Sequence, residues 1–141
     1  MSTEKTTPYA ALLLRLSLGV VFLSHGFVLK IMGFGLAGTM GFFGSIGYPP
    51  VFGAVVALAE TAAGVALILG VLVRPVALLT LPILAGALAL HSGNGWVFSA
   101  PNGGWEFPAF LIVAVLVQAG LGAGAWAWRP AALRRLAPAL A

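Results

Sequence analysis

The sequence contains no cysteine and no aspartate, and it has few charged side chains of any kind. The absence of cysteine excludes disulfide bonds, thiolate metal sites and thiol chemistry carried by this chain itself. Seven residues are basic and three acidic, so 7% of the 141 residues are charged, against roughly 25% in an average soluble domain. Because so few charges cannot cover a soluble surface, most of the surface must face hydrocarbon.

The excess of basic residues, a net charge of +4, does not indicate nucleic-acid binding. The basic residues lie at the ends of apolar runs, which is typical of membrane orientation and unlike a basic groove. We therefore expect membrane lipids, and no nucleic acid, as partners.

Four long apolar runs predict an all-α integral membrane four-helix bundle, formed as a single domain over residues 1–141. At a rise of 1.5 Å per residue, a helix of about 20 residues crosses a hydrocarbon core of roughly 30 Å. The third run is short and contains Pro82, which a membrane helix tolerates where neighbours satisfy the freed carbonyl. The predicted spans are 10–33, 51–73, 75–91 and 107–128.

The basic residues predict an N-in/C-in topology in the cell inner (plasma) membrane, with both termini cytoplasmic, because Lys and Arg accumulate on the cytoplasmic side. The long connections 34–50 and 92–106 then face outward. The cytoplasmic residues are Lys5 before the first span, Arg74 between the second and third, and Arg129, Arg134 and Arg135 after the fourth.

The first outer connection contains the segment GLAGTMGFFGSIGYPP, in which glycine recurs at every third position from 35 to 47. The segment carries no charged side chain. Two interpretations remain open: a plain loop in the membrane interface, or a lid that dips back into the bundle.

The second outer connection, HSGNGWVFSAPNGGWEFP, is the most polar stretch in the body of the chain. Its Pro-Asn-Gly-Gly sequence predicts a turn in which Asn102 or Gly103 takes a positive φ. Glu106 is expected to open the fourth span, where the helix N-terminus favours a negative charge. The connection is either an ordinary hairpin with a charged cap or a polar lid over the residues below it.

Ionisable side chains inside a membrane cost on the order of 3 kcal/mol at the bilayer centre, so we expect those present to pair or to line a cavity. Counted along their helices, Glu60 lies about 14 Å and His25 about 12 Å below the outer face, so the two can share a level. His91 and Glu106 are expected at the outer mouth and Arg15 deeper, toward the cytoplasm. Lys30 is expected to extend to the outer interface.

The sequence leaves the role of these side chains open. Glu60 paired with Arg15 or with His25 would either hold the helices in register or form a proton-handling or ligand-binding site. Haem is disfavoured because His25 and His91 lie at different depths. A metal site would require His25, Glu60, His91 and Glu106 to converge closely. No glycine motif for a dinucleotide is present, and we expect no haem, flavin or metal.

Together these residues resemble the DoxX family of small four-helix membrane proteins, over about residues 12–126. The resemblance is carried by LLRLSLGVVFLSHGF followed by Lys30, by ALAETAAGVALILGVLVRPVAL across the second and third spans, and by NGGWEFP before the fourth. The founding members of the family resemble the small subunit of a thiosulfate:quinone oxidoreductase, and others are associated with quinone or catechol stress or with thiol-handling redox complexes. The recurrent polar positions of the family map onto Arg15, His25, Glu60, His91 and Glu106.

The resemblance implies a component of a membrane oxidoreductase that binds quinone, or a similar small lipophilic ligand, in an outward-facing polar cavity. Glu60 and His25 would be the catalytic pair that exchanges protons. Electrons would come from a partner redox subunit, and a homo-oligomer is also expected because four short helices have a small core. The alternatives are a non-catalytic scaffold or assembly subunit, or a small-ligand transporter or helper. The ligand-binding side chains would be Arg15, Lys30, His91, Asn102 and Glu106.

Overall fold

The computed structural model describes residues 3–128 and 130, and every regular element in this part of the chain is helical. Three continuous helical segments are long and apolar enough to cross a membrane: Thr3–Gly33, Val51–Leu69 and Val73–Asn94. The predicted all-α membrane bundle is confirmed. Arg129, Arg134 and Arg135, on which the predicted orientation partly depends, lie outside the described residues.

The first rod consists of helix α1, Thr3–Leu23, and a π-helix, Ser24–Gly33, which continues it without a break. The rod begins at Thr3 rather than at residue 10. The π-helix closes wider turns than an α-helix, with hydrogen bonds between residues five apart, as from the Phe34 N–H to the Leu29 carbonyl at 2.8 Å. The apolar pattern alone gave no indication of this change.

The first outer connection contains a helix, α2, Gly35–Ser45, which packs against the π-helix and against the next helix, α3, Val51–Leu69. The Thr39 hydroxyl donates to the Lys30 carbonyl at 2.8 Å. A Cβ placed on Gly53 of α3 would lie 2.8 Å from the Thr39 carbonyl oxygen, so the two backbones touch. The interpretation as a plain interfacial loop is therefore wrong, because tertiary contacts outweigh the low helix propensity of the repeated glycines.

The second rod is α3, Val51–Leu69, which ends before the predicted boundary at residue 73 because Gly70 adopts the left-handed conformation with φ 79°. After a short turn the chain returns through α4, Val73–Leu79, and α5, Leu81–His91. These two helices meet at Thr80, whose hydroxyl donates to the Ala77 carbonyl at 2.7 Å. The interruption precedes Pro82, which has no N–H to donate to the preceding turn.

The last helix, α6, covers Glu106–Leu121 and ends before the predicted boundary at residue 128. Residues 122–128, which we name the strap, run irregularly because Gly122, Gly124 and Trp126 have positive φ. The strap crosses the end of the bundle. The Ala125 N–H donates to the Pro8 carbonyl and the Trp128 N–H to the Leu69 carbonyl, both at 2.9 Å.

The first rod packs along α3, and α4 and α5 pack along α6. Between the helices lies a core of apolar side chains, while many large apolar side chains, such as Leu13, Leu79 and Phe110, are exposed. That distribution suits a bundle surrounded by hydrocarbon. The core consists of Leu18, Phe22, Leu67, Val73, Ala77, Leu84, Leu111, Ala114 and Val115.

Candidate functional site

The charged pair at the centre of the candidate site joins the π-helix to α3. The Lys30 ammonium Nζ lies 2.6 Å from the Glu60 carboxylate Oε2, and their side chains are 22% and 9% exposed. The expectation that Lys30 extends to the outer interface is wrong, because the wide turns of the π-helix direct it toward α3. It is the only ion pair within the described residues.

The expected pairing of Glu60 with Arg15 or His25 is also wrong. Arg15 lies beside Gly70, which follows Glu60 by ten residues, or about 15 Å along the helix. Its Nη2 donates to the Ala125 carbonyl in the strap at 3.2 Å. Arg15 therefore belongs to the opposite end of the bundle, which we call the strap end.

Both histidines are oriented by the helix that carries them. The Nδ1 of His25 lies 2.9 Å from the Val21 carbonyl, and the Nδ1 of His91 lies 2.7 Å from the Ala87 carbonyl. Because a carbonyl only accepts, Nδ1 carries the proton of each neutral ring and Nε2 is left as an acceptor. The His25 ring also stacks on Phe107 of α6 at a centroid distance of 6.1 Å.

The connection between α5 and α6 is a hairpin-like loop, residues 92–105, held by its own hydrogen bonds. The Glu106 N–H donates to the Trp96 carbonyl at 3.0 Å, and Glu106 Oε1 accepts from the Phe98 N–H at 2.7 Å. The rings of Trp96 and Trp105 meet edge to face at 4.4 Å. Glu106 thus opens α6, as predicted, and also fixes the loop before it.

The predicted turn in this loop is confirmed, since Asn102 has φ 65° and Gly103 has φ 78°. Asn102 is exposed and contributes its backbone carbonyl rather than its side chain. Sequence reasoning missed Asn94, whose Nδ2 donates to the carbonyls of Asn102 at 3.1 Å and Gly103 at 2.9 Å. The Asn-Gly pair at positions 94 and 95 was the available signal.

A cleft of about 1620 Å³ lies between the π-helix, α2, α3, α5, the loop and the start of α6. Its walls are mainly apolar and rich in aromatic rings, among them Phe42, Tyr48, Phe52, Phe98 and Phe110. Arg15 and Asn102 are not part of the lining. The predicted polar residues that line it are His25, Lys30, Glu60, His91 and Glu106.

The acidic and imidazole side chains of the cleft do not form a metal-binding cluster. In residues 3–128 and 130, no three such side chains lie close enough together to share a metal ion. The cleft is therefore described by its one ion pair, its two oriented imidazoles and its aromatic walls.

Comparison with known proteins gives one family and one curated relative. The family model described as DoxX matches residues 10–93, from α1 to the start of the loop after α5. A Bacillus subtilis (strain 168) protein named "Putative oxidoreductase CatD" is 38% identical over 85 residues, which are 60% of this chain and 61% of that protein. The chain thus spans about three fifths of the length of this relative. No solved structure matches the chain.

Proposed function

Because the chain belongs to the DoxX family of membrane proteins, we propose that it is the ligand-binding component of a membrane oxidoreductase. The ligand would be a quinone or a similar small lipophilic molecule, bound in the cleft. The name of the Bacillus subtilis relative supports the oxidoreductase class. The observation that carries the proposal is the convergence of the Lys30–Glu60 pair and two oriented imidazoles on one aromatic-walled cleft.

The walls and the ion pair suit different parts of such a ligand. Aromatic and aliphatic walls favour a flat ring with an apolar tail. The Lys30 ammonium has three N–H donors, and one of them is used by Glu60. The others would donate to a carbonyl oxygen of the ligand, while Glu60 would keep the ammonium in place.

Proton exchange is the second task of the site. Reduction of a quinone to a quinol takes up two electrons and two protons. The free Nε2 of His25 and the carboxylate of Glu60 would exchange these protons with the ligand, as acid and base catalysis requires groups within hydrogen-bond reach. His91 and Glu106 would form the polar mouth. The electrons would come from a redox partner.

The proposal includes a location and an assembly. The protein would lie in the cell inner membrane with both termini cytoplasmic, which would make the cleft face outward. A redox subunit or further copies of the chain would complete the enzyme.

The test is ligand-dependent stabilisation of the detergent-purified protein. A benzoquinone with a short alkyl tail should raise the Tm of the wild type, and a benzene ring with the same tail but without the carbonyl oxygens should not. At 100 times Kd, binding stabilises a folded protein by about 2.7 kcal/mol. The shift should be lost in Glu60→Gln and Lys30→Gln but kept in Glu4→Gln, which alters an exposed residue in the first turn of α1.

Equal shifts in all these variants would contradict a ligand site at the ion pair and would favour the scaffold alternative. In membranes that contain the redox partner, quinone-linked activity should fall in Glu60→Gln and in His25→Ala. Full activity in both variants would contradict the proton-exchange role.

A further inference from the structure

A second site is indicated at the strap end of the bundle, where Arg15 is buried without an acidic partner. Its side chain is 1% exposed, and its Nε and Nη1 atoms have no hydrogen-bond acceptor within the described residues. None of the three acidic side chains of the sequence forms an ion pair with Arg15: Glu4 is exposed in the first turn of α1, Glu60 is paired with Lys30 and Glu106 holds the outer loop. A buried guanidinium without an anion is strongly unfavourable, so an anionic group other than these three carboxylates is indicated.

The carbonyls at the end of α3 are already in use. The Ala66 carbonyl accepts from the N–H groups of Gly70 and Val71, and the Leu69 carbonyl accepts from Trp128. Arg15 packs so closely on Gly70 that a Cβ there would overlap Nη1. Nε and Nη1 therefore find no acceptor at this end of α3 within the described residues.

A second arginine lies at the same end of the bundle. A Cβ placed on Gly122, the first residue of the strap, would lie 3.2 Å from Nε of Arg74. The side chain of Arg74 is exposed, whereas Arg15 lies beneath the strap, in contact with Ala125. Two guanidinium groups thus flank one irregular segment, and positive-φ glycines at 122 and 124 permit other backbone conformations of that segment.

The aromatic residues around the strap indicate the depth of this end in the membrane. Trp126 is 81% exposed, and its ring contacts that of Tyr9 edge to face at 6.2 Å. Trp128 is also exposed. Exposed tryptophan and tyrosine typically lie at the level of the lipid headgroups. The strap is therefore expected at that level, and Arg15 and Arg74, which contact it, within reach of the lipid phosphates.

We propose that Arg15 and Arg74 bind a phosphate group at the strap end, supplied either by an anionic lipid headgroup or by free phosphate. Guanidinium groups form paired hydrogen bonds with phosphate oxygens, and basic sites between membrane helices hold anionic headgroups. Arg74 makes the first contact at the surface. The strap then shifts so that Nε and Nη1 of Arg15 reach the phosphate. This site is separate from the cleft and does not depend on the function proposed for it.

The experiment compares two lipids that differ only in the phosphate group, and it adds inorganic phosphate as a third ligand. The detergent-purified protein is titrated with phosphatidic acid, with diacylglycerol of the same acyl chains and with inorganic phosphate, and binding is followed by native mass spectrometry and by Tm. Phosphatidic acid should bind and raise Tm, whereas diacylglycerol should do neither. Binding of inorganic phosphate at comparable affinity would identify free phosphate as the source, and its failure to bind would identify the lipid.

The variants test the two arginines. Arg74→Gln should weaken phosphatidic acid binding by about fivefold, as expected for one basic side chain near an anionic group. Arg15→Gln should abolish the difference between phosphatidic acid and diacylglycerol. Lys5→Gln removes one exposed charge from the first turn of α1 and should leave that difference in place.

Equal binding of phosphatidic acid and diacylglycerol by the wild type, together with no binding of inorganic phosphate, would overturn the proposal. So would an unchanged preference for phosphatidic acid in Arg74→Gln and in Arg15→Lys, a second variant that keeps the charge but lacks the planar fork. If Arg15→Gln does not fold, Arg74→Gln and Arg15→Lys still decide the outcome.

Discussion

At the scale of single residues, the Lys30–Glu60 pair is the contact on which the candidate site depends. Depth counting placed Glu60 near the level of His25, yet the structure brings Lys30 to the carboxylate instead. In a poorly hydrated environment, an ammonium that reaches a carboxylate is more favourable than either group alone. Arg15 is the opposite case: its surroundings are also apolar, but no carboxylate pairs with it within the described residues.

The pair should show a large coupling energy. Lys30→Met leaves the buried Glu60 carboxylate unpaired, and we expect a loss of about 2–4 kcal/mol in unfolding free energy. Lys30→Met combined with Glu60→Gln should lose less than the sum of the single variants, because no unpaired charge remains. Denaturant unfolding in mixed micelles gives the unfolding free energies of the wild type, the two single variants and the double variant, and hence the coupling energy. Lys5→Met is the control and should change stability by less than about 0.5 kcal/mol. Additive losses would show that the two side chains do not interact.

At the scale of helices, two glycines allow the first rod to lie directly on α3. A Cβ on Gly26 would lie 2.6 Å from the Thr61 nitrogen, and a Cβ on Gly64 would lie 2.6 Å from the Leu23 nitrogen. Small residues permit this kind of backbone contact in membrane bundles. The close approach brings Lys30 within reach of Glu60.

Substitution of one of these glycines should therefore separate the helices. We expect Gly64→Ala to lower unfolding free energy by about 1–3 kcal/mol, because the added methyl group overlaps the backbone of the first rod. Gly86→Ala in the middle of α5, where nothing lies within 4 Å of a Cβ, should be neutral or stabilising by up to about 1 kcal/mol. Thermal unfolding followed by tryptophan fluorescence compares the two variants. Equal stability would mean that α1 and α3 are not in backbone contact.

At the scale of the whole molecule, the two ends of the bundle differ in chemistry. One end carries the cleft, the polar loop and two acidic side chains, Glu60 and Glu106. The strap end carries Arg15 and Arg74 and, within the described residues, no acidic side chain in contact with them. The helix α6 has 16 residues, about 24 Å, and is shorter than a core of roughly 30 Å.

The difference between the ends predicts the orientation in the membrane. Because the chain has no cysteine, single cysteines can be introduced directly. In spheroplasts, a membrane-impermeant maleimide should label Gly93→Cys, in the exposed turn after α5, at once. Thr3→Cys should react only after the membrane is made permeable.

Two controls accompany this labelling. The cysteine-free parent should give no signal, and Leu13→Cys on an exposed apolar face of α1 should react slowly under both conditions. Labelling of Thr3→Cys before permeabilisation, with protection of Gly93→Cys, would reverse the proposed topology.

The sequence by itself determined the class of the protein, its helical content and the charged and imidazole side chains that line the cleft. These follow from local properties: the scarcity of charge, the length of the apolar runs, and the rule that ionisable side chains in a membrane face the interior. The rule selected six side chains, of which five line the cleft. The sixth, Arg15, lies at the strap end.

Only the tertiary structure decided which of these groups meet. The π-helix directs Lys30 to Glu60, α2 folds onto the bundle, and the strap covers Arg15 at the opposite end. Pairing between distant positions depends on the rotation of each helix and on where it is interrupted. A change from α-helical to π-helical turns moves a side chain to another face without changing the apolar pattern, so the residue letters alone did not carry that information.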